Sequence, residues 1–162
     1  MPEFRITKYD PALRDSSGAY LGSEWTSMSD IGKSTTLDEY IRVEAAYLDV
    51  VLAFLQEANI DSLTIRWHRH EIGAPTDYGN GERLLMPELR HAMQRILREE
   101  MWAEFGHESG AFVHFGHDYY MYLGVPTNCP RAQALAIAKG LFVEPFISPC
   151  HPDPEENEED VL

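Results

Sequence analysis

Residues 36–58, TLDEYIRVEAAYLDVVLAFLQEA, decide the fold. Tyr40, Val43, Tyr47, Val50, Val51 and Phe54 recur at helical spacing, while Asp38, Glu39, Arg42, Glu44 and Asp49 fall largely elsewhere. The stretch therefore predicts one amphipathic helix from Leu37 to Ala58 whose apolar stripe packs inward. Thr36 followed by Glu39 forms a capping box at its start. Downstream, SLTIRWHR (62–69) sets Leu63, Ile65 and Trp67 against Thr64, Arg66 and His68, the period-two pattern of a half-buried strand. Upstream, EFRITK (3–8) is a short strand, DPALRDSSGAY (10–20) a loop and EWTSMSDIGK (24–33) an extended segment.

The Gly-rich stretch EIGAPTDYGNGER (71–83) predicts an exposed excursion suited to binding. A second helix is expected from Pro87 to Phe105, with Gly106 placed to end it. GAFVHFGHDYYMYLGVP (110–126) predicts a hairpin turning at Gly116, His117 and Asp118. Its Tyr119, Met121, Leu123 and Val125 share one face, and Tyr120 and Tyr122 take the other. RAQALAIAKG (131–140) is a short helix and LFVEPFIS (141–148) a last strand. This order of elements predicts a single α+β domain over residues 1–150, a mostly antiparallel sheet with about three helices packed on it. The sequence shows no repeat at solenoid periods, and residues 151–162 are expected to be a disordered acidic tail.

At 162 residues and 44% hydrophobic composition the chain excludes wholesale disorder. No stretch approaches the roughly 18 apolar residues of a spanning helix, and MPEFRITKYD lacks a signal-peptide h-region, so a cytoplasmic location is expected. Two cysteines, Cys129 and Cys150, are too few for a disulfide scaffold and are expected to be reduced. With 27 Asp and Glu against 13 Lys and Arg, the formal charge is −14, which repels nucleic acid and anionic membranes. Six of the acids fall in the last twelve residues, and the rest of the chain still carries −8. The excess acid serves either solubility or a basic partner.

Motifs for catalysis are incomplete. Gly32, Lys33 and Ser34 precede a helix as in a phosphate-binding loop, but Ser27 stands where that loop requires its first glycine. His68 and His70 on one strand, with His114 and His117, form the candidate metal set. Glu71 follows His70 directly and would point the other way if the strand continued, so the spacing fits a cupin-like site poorly. Cys129 lacks the sequence context of a cysteine enzyme, no G-x-S-x-G elbow occurs, and Glu99 with Glu100 or Glu155 with Glu156 are sequence neighbours that diverge.

Taken together, ITKYDPALRDSSGAY, EWTSMSDIGK, VHFGHDYYMYLGVP and GLFVEPFISP resemble, over roughly residues 4–149, a group of small bacterial immunity proteins of polymorphic toxin systems. The resemblance is one of pattern and order and carries over no active-site residue. It implies a cytoplasmic, non-enzymatic inhibitor that blocks one cognate toxin stoichiometrically, often an enzyme acting on nucleic acids or nucleotides. The acidic balance agrees with a basic target cleft. Expected partner contacts are Glu71, Asp77, Tyr78 and Glu82 in the central loop and Asp118 and Tyr120 at the hairpin. No cofactor, nucleic acid or membrane partner is expected. The alternative is a small metal-dependent hydrolase or nucleotide-modifying enzyme using His68, His70, His114 and His117.

Overall fold

The Thr36 hydroxyl accepts a hydrogen bond from the Glu39 amide at 3.2 Å and starts α1 (Leu37–Glu57), with Asp38 and Glu39 complementing the helix dipole in the first turn. The computed structural model describes residues 1–70 and 77–151. The elements follow as β1 (Glu3–Thr7), α1, β2 (Ser62–His70), β3 (Arg83–Leu85), α2 (Met86–Leu97), β4 (Met101–Gly106), β5 (Phe112–Phe115), β6 (Met121–Gly124), α3 (Pro130–Ala138) and β7 (Phe142–Pro145). The strands form one seven-stranded sheet of order β3-β2-β4-β5-β6-β1-β7 in which every pairing is antiparallel. The chain is a single-domain α+β protein, as its pattern predicted.

All three helices end in the same way. The residue after each C-cap takes a left-handed backbone: Asn59 (φ 57°), Glu99 (φ 59°) and Gly140 (φ 81°). Its amide and the next one fold back onto the last turn, as in Asn59 N to Gln56 O (3.0 Å) and Ile60 N to Leu55 O (2.8 Å). This is a Schellman closure, and it satisfies carbonyls that would otherwise lack partners.

It also explains the main departure from expectation. The second helix does not run to Phe105: it stops at Leu97, and Glu99 N to Ile96 O and Glu100 N to Arg95 O, each 2.9 Å, reverse the chain. Residues 101–106 then form β4, whose Met101, Ala103 and Phe105 are buried while Trp102 and Glu104 are only partly so. Gly106 ends a strand here, and a Cβ on it would meet Arg66 Nε at 2.8 Å. The strand β3, which begins at the last residue of the expected central loop and was not expected, is likewise a correction; Leu84 is its single buried residue. The segment 24–33 is not extended either. Thr26 and Ser27 donate their amides to the Asp30 carboxylate (2.9 and 3.3 Å), folding a one-turn helix at Met28–Asp30.

The helices lie side by side on one face of the sheet, α1 between α2 and α3. Phe4, Ile6, Ile65, Phe105, Val113 and Leu123 meet Tyr47, Val50, Val51, Phe54 and Leu89 in one core cluster. The opposite face is polar and aromatic. Arg5 donates two hydrogen bonds to Glu144 (3.1 and 3.0 Å), and its guanidinium lies 4.0 Å from the Phe146 ring centre. Ser148 lies over His114, with Nδ1 to Oγ 2.8 Å. His151, assigned to the tail by sequence, places Nε2 3.0 Å from a Glu3 carboxylate oxygen. The remainder of the predicted tail, 152–162, lies outside the described residues. Among the described residues no helix is long and apolar enough to cross a membrane.

Candidate interaction surface

Strand register decides which loops meet. His70 at the end of β2 pairs with Met101 at the start of β4, and Met121 at the start of β6 pairs with both Phe115 and Ile6. The segment 8–36 after β1, the turn 98–100 and the turn 116–120 therefore gather at one end of the sandwich, with Asp77 beside them. Arg95 ties two of these together, its guanidinium contacting Asp77 at 2.8 Å and Glu100 at 3.4 Å.

The β5–β6 turn is held in an uncommon shape. Asp118 (φ 58°) and Tyr119 (φ 66°) are consecutive left-handed residues, the geometry of a tight hairpin turn that usually takes Asn-Gly or Asp-Gly. A bulky ring tolerates that backbone because Tyr119 is locked below: its hydroxyl donates to Tyr40 Oη at 2.7 Å and its ring packs against Trp25 and Tyr47. Burial and the Tyr40 contact push the Tyr119 phenol far above its ordinary range, so it stays neutral. Tyr9 adds a bond to the Asp118 carbonyl at 2.5 Å. These contacts anchor the turn, and it presents Asp118 to solvent.

Asp77 and Asp118 thus share this end. Glu82 does not: its carbonyl accepts from Ile65 N midway along β2, and its carboxylate accepts from Gly79 N at 2.7 Å, which places it in a turn at the β3 edge. Tyr78 is half-buried against the core near His91 and Arg95. Tyr120 is committed too, with its hydroxyl accepting from Arg14 at 2.9 Å and its ring stacked on Tyr9 at 5.3 Å. Glu71 lies outside the described residues.

The segment 8–41, expected to be a loop over 10–20, extended over 24–33 and helical from Leu37, contributes exposed apolar residues that were not expected to bind. Leu13, Leu21, Met28, Leu37 and Ile41 are exposed large apolar side chains, Leu21 at 70%. Between them stand Asp10, Asp15, Glu24, Asp30, Asp38 and Glu39 against Lys33, while Arg14 is turned onto the polar sheet face beside Glu144. Hydrogen bonds from Ser17 and the Ala19 amide hold the Asp15 carboxyl below its ordinary range, and the Thr26 and Ser27 amides do the same for Asp30. Both remain charged. No sequence signal marked the exposed apolar side chains, because Leu and Met are no denser over 8–41 than in the rest of the chain. Gly32, Lys33 and Ser34 form no phosphate cradle, since the Lys33, Ser34 and Thr35 amides all donate to the Asp30 carbonyl (3.0, 3.1 and 3.3 Å).

The histidine set is divided. His114 is buried on the polar sheet face, stacked on Phe112 at 4.4 Å, whereas His117 stacks on Trp102 at 5.3 Å at the turn. The side chains of His68 and His70 lie outside the described residues, and among those described no three His, Cys, Asp or Glu side chains converge as a metal set. Burial raises the Cys129 thiol, whose Sγ lies 3.5 Å from the Phe54 carbonyl, and also that of Cys150. Neither environment activates a nucleophile. The cleft between the α2 terminus and the β5–β6 turn, lined by Ile96, Trp102 and His117, offers about 20 Å³, room for a single water.

Fold and surface define a single-domain α+β protein with an acidic, partly apolar end. Compared with family models, curated proteins and solved structures, the chain matches none.

Proposed function

We propose that the protein is a cytoplasmic immunity protein that binds one cognate bacterial toxin, a basic enzyme acting on nucleic acid or nucleotides, and neutralises it by stoichiometric blocking. The observation that carries this reading is that one segment, 8–41, crossing the end of the sandwich, exposes Leu13, Leu21, Met28, Leu37 and Ile41 and also carries six carboxylates, on a chain of formal charge −14. An apolar centre with a charged rim is the anatomy of a protein interface, and acid complements the cleft of a nucleic-acid enzyme. Asp77 and Asp118 belong to this surface; Tyr78, Glu82 and Tyr120 support the fold around it.

The test first reads the gene immediately upstream, where a toxin-like C-terminal domain is expected and its absence counts against the proposal, and then mixes that purified domain with this protein. A one-to-one complex by size-exclusion chromatography, with toxin activity titrated to zero at one equivalent, is the expected result. No complex at micromolar concentrations, or protection at far less than one equivalent, overturns the proposal.

A further inference from the structure

Leu13, Tyr20, Glu24, Trp25 and Ser34 line an open cleft of about 350 Å³ at the acidic end, with Gly22 and Ser23 on its wall. Tyr20 can lie across this wall only because residue 22 is glycine, where a Cβ would meet the Tyr20 hydroxyl at 2.1 Å. The ring is held from behind by Tyr9, with centroids 4.8 Å apart. On its inner side the same wall already binds a cation. The Lys8 ammonium lies 4.1 Å from the Trp25 ring centre, 4.5 Å from that of Tyr9 and 3.3 Å from a Glu24 oxygen, and it also donates to the Trp25 carbonyl. Glu24 remains half exposed, at 48% of its side chain.

We propose that this cleft receives an arginine side chain of the basic partner, its guanidinium facing Glu24 and the Tyr20 ring and its methylene stem lying along Leu13. The assignment rests on the partner-binding reading above and deepens it by naming the anchor. Three features support arginine. The cleft is lined by an aliphatic and two aromatic side chains, suited to a long stem and a planar, weakly hydrated cation. Its carboxylate lies in the segment 8–41, where six acids face three bases, Lys8 included. The cleft lies among the exposed Leu13 and Leu21, where neighbouring contacts would exclude water from the pair.

The first arm of the test needs no toxin. N-acetyl-arginine methylamide is titrated into ¹⁵N-labelled protein, beside the uncharged citrulline analogue. Saturable shifts confined to the amides of residues 13–34, larger for arginine and lost in Glu24→Gln, are expected. Equal shifts with citrulline, or shifts scattered over the acidic surface, overturn the assignment. The second arm measures affinity for the upstream toxin domain. Leu13→Ser and Glu24→Gln, both at exposed positions and checked for parental melting, should each weaken binding by roughly tenfold or more, as truncation at an anchor does, while Glu82→Gln leaves it unchanged. If the parent binds toxin and both cleft variants bind equally well, the cleft assignment falls and the immunity reading stands. If arginine amide marks the cleft but the parent forms no toxin complex, the immunity reading falls instead.

Discussion

Glu44 was grouped with the solvated side of α1, yet it is 2% exposed. Its carboxylate accepts two hydrogen bonds from Arg98 (2.8 Å each) and one from Gln94 (2.9 Å). Burial alone would raise its pKa, but the Arg98 and Gln94 hydrogen bonds and the Arg98 charge outweigh that and hold it below the ordinary range. A depressed carboxylate adds stability above its unfolded pKa and loses it as pH falls through the folded value. Arg98→Met, which strands a buried charge, should cost about 3 kcal/mol at pH 7 by denaturant titration, with the deficit shrinking at pH 4 as Glu44 protonates. His114 behaves in the opposite chemical sense with the same acid-side outcome. Burial, and secondarily the neighbouring His151, lower its pKa to about 4. The unfolded state therefore takes up the proton first, so stability falls as pH drops from about 6.5 to about 4, by up to about 3 kcal/mol. Melting curves of His114→Gln across that window should be flatter than those of the parent.

The turn between α2 and β4 sends the chain from the helical layer back into the middle of the sheet. Glu99 closes α2 in a conformation that disfavours every residue with a Cβ, and no hydrogen bond of its side chain compensates among those described. Glu99→Gly should raise stability by up to about 1 kcal/mol, read from the denaturant midpoint. Strand β4 sits between β2 and β5, and Phe105 is 1% exposed. Phe105→Asp should therefore lower stability by several kcal/mol, as should Phe54→Asp on the facing helix stripe. Both substitutions place an unpaired charge in one core cluster. Thermal melts matching the parent would contradict this packing.

For the whole molecule, −14 acts at long range and the apolar end at short range. Association with a basic toxin should slow steeply between low and physiological salt, where the Debye length falls to about 8 Å, while dissociation changes much less. Surface plasmon resonance at several ionic strengths separates the two rates. An association rate indifferent to salt would leave the charge as a solubility feature.

The sequence by itself determined the parts that rest on local pattern. The stripe from Tyr40 to Phe54, the Thr36 cap, the hairpin at residues 112–124 and the α+β class all follow from periods of 3.6 and 2 and from residues that favour caps and turns. Asn59 and Gly140 announced their helix ends because their residue types suit a left-handed backbone. Glu99 did not, and HAMQRILREEMWAEF satisfies a helical period as well as a strand period, so only pairing with β2 and β5 made Met101–Gly106 a strand. The acidity of the candidate surface was visible in the sequence, which also named Asp77 and Asp118, two residues that lie on it. Its apolar centre was not, because Leu13, Leu21 and Met28 have no periodicity to mark them. Their exposure is set by where β1, in the interior of the sheet, sends the chain across the end of the sandwich before α1 begins. Pairing between distant strands, a property of register and not of neighbours in sequence, decided that.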